Sequence, residues 1–127
     1  MQLDFIDNIN EFGESVVRLY DFNQSESIKF RDLIEKGIIG QGLKVNLNTL
    51  DFIEARNCQL IMGVGTSDEG IISADNKTFF CILRLESYKT MVELLQPFCE
   101  KETKAHQYLY EVDTPIDFLF APAGTWE

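Results

Sequence analysis

The sequence predicts an α+β fold: a mainly antiparallel, twisted sheet of about six or seven strands with two helices packed on one face. Three observations support this prediction. Strand-like runs alternate with turn residues in the middle of the chain, two segments carry apolar residues at helical spacing, and two further runs near the end resemble a hairpin. With 127 residues, 45% of them hydrophobic, residues 1–127 are expected to form a single globular domain.

The first third of the chain predicts one strand and one helix. Residues 1–13 alternate poorly and are interpreted as a helical turn or a docked arm. Residues 14–22 carry apolar side chains on both faces, as expected for a strand inside a sheet. Asn23 and Glu26 have the spacing of a helix N-cap, and Gly37 is expected to end that helix in the left-handed conformation.

The middle of the chain predicts an antiparallel meander. Residues 43–48 alternate and predict a half-buried strand, and residues 49–57 fit either a short strand or a helical turn. Residues 58–64 and 78–85 are strand-like. The glycine-flanked loop 65–70, a short apolar step and a tight turn lie between these two runs, which favours antiparallel pairing.

The last third predicts a second helix and a closing hairpin. Ser87 is the expected helix cap, and an apolar stripe follows it. Pro97 lacks a backbone donor, so we expect a kink or break near Gln96. Residues 106–112 and 116–121 are interpreted as the two strands of the hairpin.

The net charge of −10 is concentrated at the two ends of the chain. Residues 1–17 and residues 105–127 each contain four acidic residues and no lysine or arginine. Because chain termini often lie close together, these ends are expected to form one negative surface that attracts a basic partner and repels nucleic acid and anionic membranes. An alternative is that the acidity only keeps the protein in solution. The predicted partner-binding residues are Asp4, Asp7, Glu11, Glu14, Glu111, Asp113, Asp117 and Trp126, the last of which either contacts the partner or clamps the terminus.

No motif predicts a catalytic residue, a cofactor or a metal site. His106 is the only histidine, which excludes a two-histidine metal site, and a surface position is the more common role for such a residue. The loop 65–70 lacks the lysine of a phosphate loop. Cys58, Cys81 and Cys99 are interpreted as buried thiols in a reducing compartment, although a bridge between the first two is geometrically conceivable. The chain start has no secretory or membrane character, which predicts a cytoplasmic location.

Two classes of function remain open. The favoured class is a non-enzymatic small acidic binding protein, of the neutraliser or adaptor type, that docks a basic protein through the surface formed by the chain ends. The alternative is a small-molecule ligand-binding domain or an enzyme that uses carboxylates in a sheet cleft. Edge-prone strands also allow a homodimer. The motif Leu-Asp-Phe-Ile occurs at residues 3–6 and 50–53, and Glu-Ser-x-Lys follows it at 26–29 and 86–89. The separations differ, 23 and 36 residues, which favours coincidence over duplication.

Overall fold

The computed structural model describes residues 1–8, 13–111 and 114–122, and it has an α+β fold with two helices. The prediction of one mainly antiparallel sheet is only partly matched, because the described strands divide between two mixed sheets of five and four strands. The helices are α1 (Gln24–Asp32) and α2 (Leu85–Glu100). The strands are β1 (Gln2–Ile6), β2 (Val16–Tyr20), β3 (Val45–Asn46), β4 (Glu54–Ala55), β5 (Gln59–Val64), β6 (Gly70–Ile72), β7 (Thr78–Leu83), β8 (Gln107–Tyr110) and β9 (Asp117–Ala121).

The five-stranded sheet has the order β4-β1-β2-β9-β8. β1 pairs antiparallel with β2, whereas β2 and β9 run parallel. The predicted helical turn or arm at the chain start was therefore wrong for residues 2–6, while residues 9–12 lie outside the described part. Leu3 and Phe5 pack in the main core. The alternation was hard to recognise because the opposite face of β1 is also covered, and Asp4 on that face forms an ion pair.

The four-stranded sheet has the order β3-β5-β7-β6, and β5 and β7 run parallel. The predicted antiparallel meander was wrong because the loop 65–69 crosses the end of β7 before β6 begins. The backbone N–H groups of Gly65 and Glu69 donate to the carbonyls of Leu83 and Ile82, both at 2.9 Å. This crossing places β6 on the far side of β7.

The segment before β5 contains less strand than predicted. β3 has only two residues, and Leu43 is 47% exposed rather than half-buried in a strand. Leu47 is buried, but it begins a short 3-10 helix, Leu47–Thr49, in which the Asn46 side chain accepts a hydrogen bond from the backbone of Asn48 at 3.0 Å. For residues 49–57 the sequence left a short strand and a helical turn open. The 3-10 helix ends at Thr49, and the short strand β4 follows it and runs parallel to β1.

The predicted cap of α1 is present. Asn23 accepts a hydrogen bond from the backbone N–H of Glu26 at 2.9 Å, and the Glu26 carboxylate accepts one from the N–H of Asn23 at 3.2 Å. The helix does not end at Gly37, which is buried inside a π-helical continuation, Leu33–Ile39. Gly42 supplies the left-handed conformation instead, with φ +66°. The buried isoleucines around Gly37 favour this longer helix because they pack in the core.

α2 begins at Leu85 with Arg84 as its N-cap residue, and a side chain from the loop between β5 and β6 binds this end of the helix. Asp68 accepts hydrogen bonds from the backbone N–H of Arg84 and from the hydroxyl of Ser87, both at 2.7 Å. The prediction that Ser87 caps this helix was wrong, because Arg84 is the N-cap residue and Ser87 lies in the first turn. Pro97 does not break the helix, which runs three residues further. No described helix has the length and apolar character needed to cross a bilayer.

The helices and both sheets share one main core. Phe120 of β9 lies at its centre: its ring stacks on Phe22 at 4.0 Å between centroids and packs edge-on against Phe98 of α2 at 5.0 Å. A buried hydroxyl joins α2 to the four-stranded sheet. Tyr88 donates to the carbonyl of Cys81 on β7 at 2.6 Å and accepts from the N–H of Gly63 on β5 at 3.0 Å.

Candidate functional site

Three acidic side chains lie at one end of the five-stranded sheet. Glu14 precedes β2, Asp117 begins β9 and Glu111 follows β8. β2 and β9 run parallel and β8 runs antiparallel to β9, so the starts of β2 and β9 and the end of β8 share this end of the sheet. Together they line an open groove of about 360 Å³, here called the acidic groove. Its other lining residues are Ser15, Tyr108, Thr114 and Pro115.

The three carboxylates of the acidic groove act on the titratable groups beside them. Burial raises the pKa of Asp117, and the charges of Glu14 and Glu111 raise it further. Burial also raises the pKa of Tyr108, and the charges of the same three acidic residues act in the same direction. A cation in the groove would lower both pKa values, because an opposite charge favours the ionised forms. The groove is therefore suited to an ammonium or guanidinium group, which can donate charge-assisted hydrogen bonds to the carboxylates.

The loop on one side of the acidic groove is anchored to the other sheet. The Thr114 hydroxyl donates to the carbonyl of Ile116 at 2.8 Å and accepts from the backbone N–H of Ile71 on β6 at 3.0 Å. Gly70 allows this close approach, since its φ is +74° and an added Cβ would collide with the Thr114 side chain. The positions of Thr114 and the start of β9 are consequently set by contacts with the four-stranded sheet.

Two other predicted partner-binding residues are described by the structure, Asp4 and Asp7, and neither lines the acidic groove. Asp4, on β1, accepts hydrogen bonds from Arg18 at 2.7 and 3.1 Å, and the Arg18 guanidinium lies 4.0 Å from the centre of the Tyr20 ring. Asp7 is exposed and borders the acidic groove through Ser15, whose hydroxyl donates to it at 2.5 Å. Three predicted residues lie outside the described part of the chain: Glu11, Asp113 and Trp126.

The other candidate sites lie away from the acidic groove. One acid of the glycine-flanked loop, Asp68, binds the N-terminal turn of α2. Burial raises its pKa, but hydrogen bonds from Arg84 and Ser87 outweigh burial and hold the pKa below its ordinary value. His106 is exposed and lies just before β8. Among the residues that the structure describes, no group of three or more His, Cys, Asp or Glu side chains is arranged to hold a metal ion.

The three cysteines are buried and free. Cys81 lies opposite Met62 in the parallel pair β5–β7, whereas Cys58 precedes β5. Cys58 is therefore four positions along the strand from the residue that pairs with Cys81. This offset corresponds to about 13 Å between the two Cα atoms, which is too far for a disulfide bond. Burial raises the pKa of both thiols to about 12, so they are neutral and unreactive at physiological pH.

Sequence reasoning did not identify Tyr108 as a groove residue. Residues 108 and 110 of a regular strand share one face, but a β-bulge at this point pairs Tyr108 with Leu119 and Tyr110 with Phe118. Tyr108 therefore packs on the face away from the helices, while Tyr110 packs against the main core. No feature of the sequence predicts this bulge. The polar side chains of Ser15 and Thr114 were also missed, because their positions depend on the pairing of distant strands.

Comparisons of the chain with protein-family models, with curated proteins and with solved structures gave no match.

Proposed function

We propose that the protein is a non-enzymatic binding protein, of the neutraliser or adaptor type, that docks a basic protein through the acidic groove. The observation that carries this proposal is the convergence of Glu14, Glu111 and Asp117 on one groove, where burial and the charges of the first two raise the pKa of the third. Like-charge repulsion of this kind is relieved when a cation binds. A lysine or arginine of the partner would therefore gain hydrogen bonds and remove an unfavourable interaction.

The charge of the whole chain supports the same partner class. A net charge of −10 attracts a basic protein over long distances and increases the rate of encounter. The same charge repels nucleic acid and anionic membranes, so neither is a proposed partner. The three buried thiols suit a reducing compartment, which supports the proposed cytoplasmic location. A homodimer remains a proposal of lower rank, because two copies of so acidic a chain repel each other.

One observation favours the alternative of a small-molecule site. The volume of the acidic groove, about 360 Å³, is in the range of small-ligand pockets, and a carboxyl group with a raised pKa is a common feature of active sites. The ligand would be a small organic cation such as a polyamine. The groove is open and is lined mostly by polar side chains, whereas ligand pockets are mostly apolar, so we rank this alternative second.

The proposal is tested by capture of proteins from a cell lysate on three immobilised forms of the chain. The first form is the unchanged protein, and the second carries Glu14→Gln, Glu111→Gln and Asp117→Asn. We expect a basic protein to bind the first form and to elute at moderate salt, because screening lengths fall to about 8 Å near physiological ionic strength. The second form should lose this protein.

The third form is a control with the same change in net charge at exposed acids outside the groove. It should retain the captured protein as well as the unchanged chain does, because its groove is intact. Capture of the same proteins by all three forms would refute the proposal, and capture lost equally from both variants would show that only net charge matters. The control substitutions are Glu35→Gln, Glu93→Gln and Asp51→Asn.

A further inference from the structure

β8 is the end strand of the five-stranded sheet. It pairs with β9 on one side, and no described strand pairs with its other side. The carbonyl of Tyr108 accepts a hydrogen bond from the side-chain amide of Gln107 at 2.9 Å. A side chain of this end strand thus binds one of the strand's own backbone acceptors. An extended peptide can replace such a side chain by adding to the edge as a further strand.

An apolar cleft lies along this edge, on the side of the helices. Its volume is about 310 Å³, and residues of both β8 and α2 line it. Leu94 and Thr90 line it from α2, and Leu109 lines it from β8. Leu94 is only partly buried, so apolar side chains that enter the cleft would cover it further.

The acidic groove lies beside the same strand, on the face away from the helices. Tyr108 packs there with Val16 and Leu119, and Asp117 is the cross-strand neighbour of Val16. Tyr108 and Glu111 line both the apolar cleft and the acidic groove, so the two are contiguous. β8 therefore has an apolar cleft on one side and three carboxylates on the other.

We propose that the partner binds through an extended segment that adds to β8 as a further strand and alternates apolar with basic residues. Successive side chains of a strand point to opposite faces. The apolar residues of the segment would enter the cleft beside α2, and its lysines or arginines would enter the acidic groove. This inference rests on the proposed function, because its basic residues make the contacts proposed above.

A second copy of this chain fits the edge less well. Its own β8 carries the same β-bulge, which disturbs regular pairing between two edges. It would also bring a second set of the same three acids to the sheet, where like charges repel. Charge complementarity thus selects a basic segment over a second acidic copy.

The test uses the full chain and three short synthetic peptides in which lysine and valine alternate. One peptide is unmodified, one is N-methylated at every valine and one at every lysine. In a strand, the N–H groups of alternate residues point to opposite edges, so only one of the methylated peptides loses the donors that face β8. Titrations followed by amide NMR spectra should show that one methylated peptide binds at least tenfold more weakly than the other two. The perturbed amides should lie in β8, α2 and the acidic groove.

The outcomes separate strand addition from the proposed function. Equal affinities for all three peptides would overturn strand addition. The proposed function would still stand in that case if the triple variant, with Glu14→Gln, Glu111→Gln and Asp117→Asn, no longer binds the peptides. Binding that this triple variant retains in full would refute the proposed function, and the inference with it. A dimer formed through β8, detected by light scattering and not dissociated by the peptides, would overturn the inference because a second copy would occupy the edge.

Discussion

Replacing Asp117 by asparagine should stabilise the protein at neutral pH. Asparagine has nearly the same shape but carries no charge, so the change removes the repulsion from Glu14 and Glu111 without leaving a cavity. It also removes the cost of burying part of a carboxylate. Like-charge neighbours on a helix surface destabilise by about 0.2–0.5 kcal/mol each, and we expect the same order of magnitude at this end of the sheet. Two such neighbours predict a gain of about 0.4–1 kcal/mol in the free energy of unfolding.

The pH dependence provides an independent check on the same substitution. The pKa of Asp117 is higher in the folded chain than its ordinary value of 3.8, so the folded state binds more protons than the unfolded state between these two values. Stability should therefore fall as the pH rises through this window. The cost is absent below the unfolded pKa and complete above the folded pKa. Asp117→Asn should abolish this part of the pH dependence.

Urea unfolding, followed by circular dichroism from acidic to neutral pH, measures both effects. With a slope of about 2 kcal/mol per molar urea, the gain at neutral pH corresponds to a midpoint shift of about 0.2–0.5 M. Asp75→Asn is the matched control of opposite sign, because hydrogen bonds from the backbone of Thr78 and Lys77 lower the pKa of Asp75. It should destabilise. If Asp117→Asn lowers the midpoint, or leaves it and the pH slope unchanged, the electrostatic account of the acidic groove is refuted.

Three further substitutions test the contacts that hold the fold around the groove. Tyr88→Phe should lower the free energy of unfolding by about 1–3 kcal/mol, because the buried N–H of Gly63 and the buried carbonyl of Cys81 both lose the Tyr88 hydroxyl. The control Tyr20→Phe removes a half-exposed hydroxyl and should change the melting temperature little. Asp68→Asn should destabilise at neutral pH, because an uncharged amide accepts weaker hydrogen bonds from Arg84 and Ser87 than the carboxylate does. Because the folded pKa of Asp68 is lowered, this loss should vanish in urea titrations as the pH falls through that pKa. Gly70→Ala should lower the melting temperature more than Gly42→Ala does. Both positions have positive φ, but only an alanine at position 70 would also collide with Thr114 beside the groove. Equal decreases in melting temperature would exclude that contact.

Local patterns in the sequence predicted elements better than they predicted pairing. The helix cap at Asn23 depends on residues three apart, and it is present as predicted. The direction of β5 relative to β7 depends instead on whether the loop 65–69 turns back or crosses the end of β7, and either path uses the same glycine-flanked residues. The helix end at Gly37 was wrong for a related reason. A glycine permits a left-handed stop, but burial of its neighbours in the core decides whether the helix continues.

Strand pairing, which local patterns do not predict, also determines which acids form the acidic groove. The concentration of acids near both chain ends is visible in the sequence, but their partners are not. Asp4 lies opposite Arg18 because β1 and β2 pair in that register. The ion pair occupies the Asp4 carboxylate, so fewer of its acceptor sites remain for a basic partner. Glu14 and Asp117 share a groove because β2 and β9 are parallel neighbours. Parallel pairing between the beginning and the end of a chain leaves no local pattern from which it could be predicted.

The contrast among the carboxylates leads to a last prediction, about binding itself. Asp68 and Asp75 accept hydrogen bonds that lower their pKa values, as expected for acids that stabilise a fold. The pKa of Asp117 is raised, so its charge costs stability, and costs of this kind are typical of functional sites. A bound ammonium or guanidinium group would lower that pKa and release a proton from the fraction of Asp117 that is still protonated. By linkage, the affinity for a lysine peptide should increase as the pH rises through the titration of Asp117. Calorimetric titrations across this range should show the increase for the unchanged chain and a smaller one for Asp117→Asn. An affinity with the same pH dependence in both would mean that the basic group binds elsewhere.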